Sequence, residues 1–245
     1  MTAPYLSIVF PAYNEQARLP ATLTTVLAWV DAQSFDTEIV IVDDGSSDDT
    51  IGVARRALEG RDHQLLTHAQ NQGKGAGLRT GMTAARGDLV LFSDADLSTP
   101  IDEATRFLAA HESGTPIVIG TRKSKGADVI TRQSLIRENM GKMYTLLSNA
   151  LICDGVSDFT CGFKSFRREA AQAIFSRLRE NGWAYDSEVL YLAKRLGYGV
   201  QEVPVRWIND PSSRVNLLRD TVGSAAGLLR IRGRALFGRY EIPTP

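Results

Sequence analysis

The sequence predicts an α/β fold, a mostly parallel central sheet with helices on both faces. Short apolar runs typical of strands alternate with longer stretches that favour helices. This alternation favours parallel pairing through right-handed crossovers. The 245 residues are enough for one large α/β domain or two small ones.

Six apolar runs predict strands, and each is followed by polar or glycine-rich residues. The predicted strands are residues 6–10, 38–42, 63–67, 89–92, 117–119 and 200–205. The predicted helices are residues 20–33, a helix after Asp48, a helix ending near residue 85, and residues 100–112, 133–152, 169–179 and 186–196. Residues 123–129 are basic and predict a loop.

Composition narrows the class of protein. The 28 basic residues balance the 28 acidic ones, so no overall charge favours a nucleic-acid partner. Cys153 and Cys161 form no Cys-x-x-Cys pair, which is typical of buried thiols in a reducing compartment. No signal peptide is visible, and no apolar run reaches the roughly 18 residues of a membrane span. We therefore expect a cytoplasmic protein.

Two carboxylates one residue apart follow the strand at residues 89–92. Asp94 and Asp96 point the same way if the chain is extended there. Open parallel sheets bind ligands beyond the carboxyl ends of their strands. Mg²⁺ usually takes one or two carboxylates together with water and phosphate oxygens. Asp94 and Asp96 are therefore candidate metal ligands, and the alternative is a polar turn.

The residues that follow two other predicted strands indicate which kind of ligand the protein binds. Residues 11–15 read PAYNE where a dinucleotide-binding unit would have Gly-x-Gly-x-x-Gly, which argues against an NAD or FAD enzyme. Residues 71–77 read NQGKGAG and lead into a helix. Glycine-rich backbone at a helix start, with Lys74, favours an anion site, and the alternative is a flexible turn.

Charged residues in the second half suggest a second anion. Arg132 and Arg137 lie at the start of a predicted helix, where cations oppose the helix dipole, so either an anion lies nearby or both arginines are solvated. Asp158 and Lys164 flank a short glycine-containing segment. Asp186 precedes another predicted helix and is either a plain N-cap or a site residue.

The C-terminal segment differs in character. From residue 206 onward there are seven arginines and three acidic residues. We divide the chain into residues 1–212, a catalytic domain, and residues 213–245, a basic amphipathic helical segment. Such a helix either lies in the headgroup region of an anionic membrane or packs on the body. Its predicted apolar stripe is Leu218, Val222, Ala225, Leu229 and Leu236, and its predicted opposite face is Arg219, Arg230 and Arg234.

Six motifs, taken together, resemble the family 2 inverting glycosyltransferases with the GT-A fold. They are residues 11–15 (PAYNE), 42–46 (VDDGS), 71–75 (NQGKG), 94–96 (DAD), 120–122 (GTR) and 161–164 (CGFK). More narrowly, the chain is similar to the polyprenyl-phosphate branch, the dolichyl-phosphate glucosyltransferases and mannose synthases. The resemblance covers essentially the whole chain.

The resemblance implies roles for individual residues. The implied base and ribose contacts are Pro11, Ala12, Tyr13, Glu15, Val42, Asp43 and Asp44, with Lys74 near the donor. Diphosphate and Mg²⁺ or Mn²⁺ are implied at Asp94, Ala95 and Asp96, and a late cluster of Arg206, Ser213 and Arg214 closes over the diphosphate. The implied acceptor-phosphate contacts are Arg122, Arg132, Arg137 and Ser213. The implied catalytic set is Asp96, Asp158, Arg122 and Lys164.

Some positions depart from the family's pattern. Gly141 stands where the mannose synthases carry a serine, and Arg214 stands where the late cluster has a lysine. Ser98 stands where some relatives use a glutamine as a further metal ligand. These differences affect the contacts expected around the phosphates.

The chemistry expected is transfer of a hexose from a nucleotide sugar to a polyprenyl phosphate. UDP-glucose is the first choice of donor and GDP-mannose the second. A phosphomonoester has a second pKa near 6, so at neutral pH the acceptor is already a nucleophile and needs no base. We therefore expect Asp158 to orient Lys164 or the acceptor, with a role as base second.

A lipid acceptor implies work at a membrane. We expect a peripheral enzyme on the cytoplasmic membrane face, docked by its C-terminal helix. The alternatives are a family 2 transferase with a soluble hydroxyl acceptor, a nucleotide-sugar binding protein without turnover, and a nucleotidyltransferase. The last would more often carry a glycine-rich loop after its first strand, which residues 11–15 are not.

Overall fold

A computed structural model describes residues 3–131, 135–209 and 217–240. Seven strands form one sheet in the order β3-β2-β1-β4-β7-β5-β8. β7 runs antiparallel to both of its neighbours, and the other pairs are parallel, so the predicted mostly parallel sheet is confirmed. The strands are β1 Leu6–Ala12, β2 Thr37–Asp43, β3 His63–Thr67, β4 Leu89–Ser93, β5 Ile117–Thr121, β6 Asp128–Thr131, β7 Phe163–Arg167, β8 Val200–Pro204 and β9 Arg206–Ile208.

Helices cover both faces of the sheet. They are α1 Leu19–Asp31, α2 Thr50–Ala57, α3 Lys74–Ala84, α4 Ala104–Glu112, α5 Leu135–Leu151, α6 Arg168–Phe175, α7 Tyr185–Arg195 and α8 Leu217–Leu236. Successive strand residues point to opposite faces, so Ile8 packs with α1, α2 and α4 while Val9 packs with α3, α6 and α7. Burial of such side chains, worth about 1.5–3 kcal/mol each, fixes the strand ends that carry the site.

A small parallel ribbon corrects the prediction for residues 123–129. Asp128 begins β6, which pairs with β9, so part of the expected loop is a strand. The predicted strand at residues 200–205 is confirmed as β8, which ends at Pro204, and β9 at residues 206–208 is a further strand that was not predicted. Helix α6 ends at Phe175, four residues earlier than predicted.

Helices α5 and α8 both pack on α7. The Tyr144 and Ser148 hydroxyls of α5 lie 2.9 and 3.0 Å from the Ser187 hydroxyl of α7. On α8, Leu228 and Ile231 are buried. No helix of the described ranges combines the length and apolarity needed to cross a bilayer.

Helix α8 faces the body with a different side from the predicted apolar stripe, because it buries Leu228 and Ile231. Arg230 Nη2 and Arg234 Nη1 donate to the buried Glu180 at 2.8 and 2.7 Å. Leu229 and Leu236 point outward and are 64% and 69% exposed. A buried carboxylate requires a charged partner, so the side of α8 that faces the body carries these arginines together with the buried Leu228 and Ile231. The side chains of Leu218, Arg219 and Val222 lie outside the described residues.

Candidate active site

Two loops at the carboxyl ends of β1 and β2 are joined by hydrogen bonds. The Asn14 backbone N–H donates to the Ser46 hydroxyl, and the Ser47 N–H donates to Asn14 Oδ1, both at 2.8 Å. Asn14 adopts a left-handed conformation, with φ of 55°, that makes this turn. Tyr13 is half-exposed beside it. These loops carry the residues expected to bind base and ribose.

Asp44, one of those residues, binds the loop that follows β3. Its Oδ1 accepts from the Gln72 N–H at 3.0 Å and lies 2.6 Å from His68 Nδ1, while its Oδ2 accepts from the Gly73 N–H at 2.7 Å. Asp43 Oδ1 accepts from the Ser46 N–H at 3.1 Å. Both carboxylates therefore shape the loops, and nucleotide contacts by them stay a prediction.

The remaining residues expected at the donor are distributed around these loops. Pro11 lies beside α3, where a Cβ at Gly77 would come 3.4 Å from Pro11 Cβ, so α3 approaches closely. Ala12 and Val42 are buried at the ends of their strands. Glu15 forms an ion pair with Arg18 at 2.9 Å. Their predicted nucleotide contacts stay predictions.

Several backbone amides of the predicted anion site at residues 71–77 are already engaged within the protein, and anion binding there with Lys74 stays a prediction. The Gln72 and Gly73 amides donate to Asp44, and the Gly75 amide donates to the Asn181 carbonyl at 2.7 Å. These N–H groups already have protein acceptors, so an anion would have to displace them. Gly73 has φ of +105°, which turns the chain into α3 and directs Lys74 toward the end of β4.

Lys74 is the cation of this corner of the site. Its Nζ lies 2.5 Å from Asp94 Oδ1, and 5.3 and 5.9 Å from the ring centres of Trp183 and Tyr185. Burial acts to lower the pKa of Lys74, but Asp94, Asp186 and Asp96 outweigh it and raise that pKa. The ammonium therefore stays charged at neutral pH.

The structure brings the predicted metal pair together. Asp96 Oδ1 accepts from the Ser98 N–H at 2.9 Å. Burial and the neighbouring charge of Asp94 raise the pKa of Asp96. The Ala95 carbonyl accepts from the Thr22 hydroxyl at 2.5 Å, which ties the turn to α1.

Asp94 and Asp96 fit a divalent cation that shares its coordination with a ligand. Among the described residues, Asp94 Oδ1 is buried without a well-directed hydrogen bond, although Lys74 Nζ is close. A Cβ at Gly162 would lie 2.1 Å from Asp94 Oδ2, so only glycine leaves room for that carboxylate. No group of three or more acidic, His or Cys ligands occurs in the described ranges. Two carboxylates suit Mg²⁺ or Mn²⁺ completed by diphosphate and water.

Lys164 pairs with Asp186, which corrects two expectations. The fully buried Lys164 Nζ contacts Asp186 Oδ1 and donates to the Cys161 carbonyl at 2.7 Å and the Phe159 carbonyl at 3.0 Å. The expected pairing of Lys164 with Asp158 is therefore wrong. The N-cap interpretation of Asp186 is also wrong, because the N-cap of α7 is Ala184.

Asp186 is a site residue that sequence reasoning left undecided. Burial raises its pKa, while Lys164 and Lys74 act to lower it, and the net direction is upward. The charge of Asp186 acts to raise the pKa of Lys74, and the charge of Asp94 acts to raise the pKa of Asp186. The signal available in the sequence was a pair of acids, Asp186 and Glu188, within the largely apolar residues 183–193.

Asp158 forms a bidentate ion pair with Arg122. Arg122 Nε donates to Oδ2 at 2.7 Å and Nη2 to Oδ1 at 2.9 Å, and the Arg122 backbone N–H donates to Oδ2 at 3.1 Å. Burial acts to raise the pKa of Asp158, but Arg122 outweighs it and holds that pKa well below the usual range. Asp158 therefore stays a carboxylate and is a weak proton acceptor at neutral pH.

Of the other predicted or candidate cations, Lys123 lies close to this pair. Lys123 Nζ lies 3.7 Å from Asp158 Oδ1 and donates to the Thr145 hydroxyl of α5 at 2.7 Å. Arg137, also on α5, is partly buried. Arg206 binds both oxygens of Asp102, at 2.7 and 2.6 Å, and its predicted diphosphate contact stays a prediction. Arg132, Ser213 and Arg214 lie outside the described residues.

Solved structures with the same fold place the chain in a class. A glucosyl-3-phosphoglycerate synthase from Mycobacterium tuberculosis, in complex with UDP, has a TM-score of 0.68 and 22% identity, over 98% of this chain and 82% of that one. A mannosyl-3-phosphoglycerate synthase from Rubrobacter xylanophilus has a TM-score of 0.69 and 20% identity, over 99% and 77%. The architecture is the GT-A fold of glycosyltransferases.

Sequence comparison narrows the class to a family. A dolichyl-phosphate beta-glucosyltransferase from Dictyostelium discoideum is 34% identical over 97% of this chain and 77% of that protein. The dolichyl-phosphate beta-glucosyltransferase from Homo sapiens is 32% identical over 97% of this chain and 78% of that protein. The one from Saccharomyces cerevisiae is 31% identical over 97% of this chain and 77% of that protein. Residues 7–175 match glycosyl transferase family 2. The chain belongs to glycosyl transferase family 2 and is a glycosyltransferase.

Proposed function

We propose that this protein transfers glucose from UDP-glucose to a polyprenyl phosphate of the dolichyl type. Near full-length similarity to dolichyl-phosphate beta-glucosyltransferases supports the sugar and the acceptor. The fold neighbour from M. tuberculosis was crystallised with Mn²⁺ and UDP-glucose, which supports the donor and the metal. The observation that carries the proposal is the charge network that joins Asp96, Asp94 and Lys74 to Asp186 and Lys164.

Asp94 and Asp96 are the residues that would hold Mg²⁺ or Mn²⁺. Such an ion, when bound, neutralises charge on the departing diphosphate and orients it. Lys74 adds a second positive charge at Asp94 from the chain itself. The charge of Asp186, which is held by Lys164 and its two backbone carbonyl contacts, also acts on Lys74. The donor diphosphate therefore enters a corner with prearranged charges.

The transfer itself requires no proton acceptor. An oxygen of the acceptor phosphate forms the new bond to the anomeric carbon on the face opposite the diphosphate. The bond to the diphosphate breaks, and its electron pair leaves with the nucleotide. A phosphomonoester is mostly a dianion at neutral pH. Asp158 then serves to position Arg122 rather than to remove a proton.

The chain must also overcome repulsion between two phosphate-bearing substrates. Two like unit charges about 4 Å apart repel by about 4 kcal/mol at an effective dielectric of 20. Lys123, Arg122 and Arg137 supply the opposing charge, and we assign the acceptor phosphate to them. Arg122 is held by Asp158 in one orientation, and the Trp207 ring centre lies 5.3 Å from its guanidinium carbon. A lipid acceptor brings the enzyme to a membrane surface, for which we propose the cytoplasmic face.

The direct test is transfer of radiolabelled sugar in detergent micelles. UDP-glucose with Mg²⁺ or Mn²⁺ and dolichyl phosphate is expected to give an organic-extractable glucolipid, and Asp94→Asn is expected to abolish it. Transfer from GDP-mannose instead would replace the proposed donor. Transfer to a water-soluble hydroxyl acceptor, or no transfer, would contradict the proposed acceptor.

A further inference from the structure

We propose that the outer sides of α5 and α8, with the cleft that they form beside α7, dock on an anionic phospholipid bilayer. The α5–α8 surface is defined by Ile136, Met143, Leu146, Leu147, Leu229, Leu236 and Phe237. The inference rests on the proposed function, because a lipid acceptor requires contact with a bilayer. Beyond the proposed function, it identifies which surface contacts the bilayer and which side chains of that surface bind it.

Exposed apolar side chains are concentrated on these two helices. Of the twelve large hydrophobic residues that are exposed in the described ranges, seven belong to the α5–α8 surface. Leu146 is 64% exposed and Phe237 is 77% exposed. On α5, Ile136, Met143 and Leu147 follow helical spacing along one side. A concentration of this kind marks an interaction site, whereas scattered single residues do not.

The two helices lie side by side on α7 and leave these side chains exposed. Tyr144 and Ser148 of α5 contact Ser187 of α7, and Gly227 of α8 lies against Ala184 at the start of α7. Both helices therefore lie on α7 and turn their other sides away from it. The inward arginines of α8 hold this arrangement through Glu180.

A cleft of about 450 Å³ lies between the ends of α5, α7 and α8. Ile152, Tyr191 and Ala235 line it with apolar atoms, and Arg195 and Arg232 line it with charge. Within the described residues, neither arginine forms an ion pair, and both are exposed. Guanidinium groups bind phosphate oxygens bidentately, so an anionic lipid headgroup suits this cleft.

An anionic bilayer matches this combination of features. Apolar side chains that enter the acyl boundary, with arginines at headgroup level, are the features of interfacial helices. The surface is also connected to the proposed acceptor site. Lys123, which lies beside Asp158, donates to the Gly141 carbonyl and the Thr145 hydroxyl of α5 at 3.3 and 2.7 Å. A lipid phosphate bound near Arg122 would thus lie at the inner side of α5.

The test is cosedimentation of the full-length protein with vesicles of phosphatidylcholine and phosphatidylglycerol in equal parts. Leu146→Glu/Leu229→Glu and Arg195→Glu/Arg232→Glu are each expected to weaken binding at least about tenfold. Val200→Glu and Arg55→Glu make the same chemical changes at exposed positions away from this surface, and are expected to bind as wild type. Vesicles of phosphatidylcholine alone are expected to bind more weakly.

Wild-type binding by both double variants would overturn the proposal. A second result would also overturn it. If light scattering shows that the wild type is a dimer and that the leucine variant is a monomer with unchanged vesicle binding, the surface joins two copies of the chain. Transfer to a short-chain, water-soluble polyprenyl phosphate separates docking from catalysis. The leucine variant is expected to keep that activity and lose transfer to vesicle-embedded acceptor. If neither the wild type nor any variant transfers glucose, the proposed function is wrong. The vesicle measurement still tests the docking surface in that case.

Discussion

Lys74 Nζ lies 2.5 Å from Asp94 Oδ1, so an ammonium of the chain already neutralises one of the two proposed metal ligands. The carboxylates of Asp96 and Asp186 also act on this ammonium and keep it charged. A divalent cation that binds Asp94 must approach Lys74 or displace it. Lys74 and the proposed metal would therefore compete for Asp94 until a diphosphate shared both charges.

Lys74→Gln is expected to tighten the binding of Mn²⁺ alone about tenfold, because the competing charge is removed. Like charges about 4 Å apart cost more than the roughly 1.4 kcal/mol that a tenfold change requires, even at an effective dielectric of 20. UDP-glucose binding is expected to weaken, since the diphosphate loses a cation. Titration of free Mn²⁺ by electron paramagnetic resonance without nucleotide measures the first effect.

Lys142→Gln is the matched control for this measurement. Lys142 pairs with Glu138 at 2.8 Å on the exposed side of α5. Its substitution by Gln removes the same charge as Lys74→Gln, at a position distant from Asp94. Its Mn²⁺ affinity is expected to equal that of wild type. Equal affinity for Mn²⁺ in Lys74→Gln and wild type would show that Lys74 does not compete with the metal.

Asp96→Asn is expected to stabilise the metal-free protein while removing its response to metal. Burial and Asp94 raise the pKa of Asp96 above its unfolded value, so its ionised form is less stable in the folded protein. The penalty grows as the pH rises from about 4 and is complete above the folded pKa. Asparagine removes the charge and keeps an oxygen for the Ser98 N–H.

Thermal unfolding at several pH values checks the Asp96 prediction. At pH 7 the variant is expected to melt about 2–4 °C above wild type, which corresponds to about 1 kcal/mol. The difference is expected to shrink as the pH falls through the raised pKa of Asp96 toward its unfolded value of about 4. Mn²⁺ is expected to raise the melting temperature of wild type alone. A lower melting temperature for the variant at pH 7 would contradict the argument.

Asp158→Asn is expected to destabilise the protein by about 3 kcal/mol, because it leaves the largely buried Arg122 guanidinium without its carboxylate. The depressed pKa of Asp158 keeps it ionised above about pH 4. Its stabilising effect is therefore complete there and is lost only as the pH falls through its folded pKa. The loss in the variant is expected to be the same from pH 5 to pH 8.

Turnover distinguishes a positioning role for Asp158 from a role as base. The acidic limb of the pH–rate profile is expected to keep its midpoint in Asp158→Asn, with a lower plateau. Combining this change with Arg122→Gln is expected to cost less than the sum of the single changes, since the two side chains act as a pair. Disappearance of an acidic limb in Asp158→Asn would instead identify Asp158 as a base.

Local patterns predicted the sheet edge and its acidic pair. The run from Leu89 to Phe92 is apolar and Asp94 and Asp96 follow it closely, so the strand and the proposed ligands lie within eight residues of sequence. The same reasoning placed the polar ends of β1 and β2. In these cases the side chains that matter are neighbours in the sequence, and the alternation of elements brings the strand ends together.

Contacts between distant elements could not be predicted in this way. Lys164 has Asp158 nearer in sequence, yet the pairing across β4 and β7 turns it toward Asp186, 22 residues away. For α8, periodicity defined an apolar stripe without showing which side faces the protein. Glu180, outside the helix, decided this because its buried carboxylate binds Arg230 and Arg234.

Two glycines of α8 give opposite predictions for the same substitution. A Cβ at Gly227 would lie 2.3 Å from Ala184 Cβ, so Gly227→Ala must push α8 away from α7 and loosen Arg230 on Glu180. A Cβ at Gly233 would meet nothing within 4 Å. Gly233→Ala therefore gains helix propensity of about 1 kcal/mol, without a clash.

Urea denaturation distinguishes the two glycine variants. Gly227→Ala is expected to lower the free energy of unfolding by about 1–3 kcal/mol, as overpacking at a close contact does, and Gly233→Ala is expected to raise it. Because backbone propensity changes equally in both, the difference between them measures the packing of α8 on α7. An increase of similar size in both variants would show that α8 does not pack closely on Ala184.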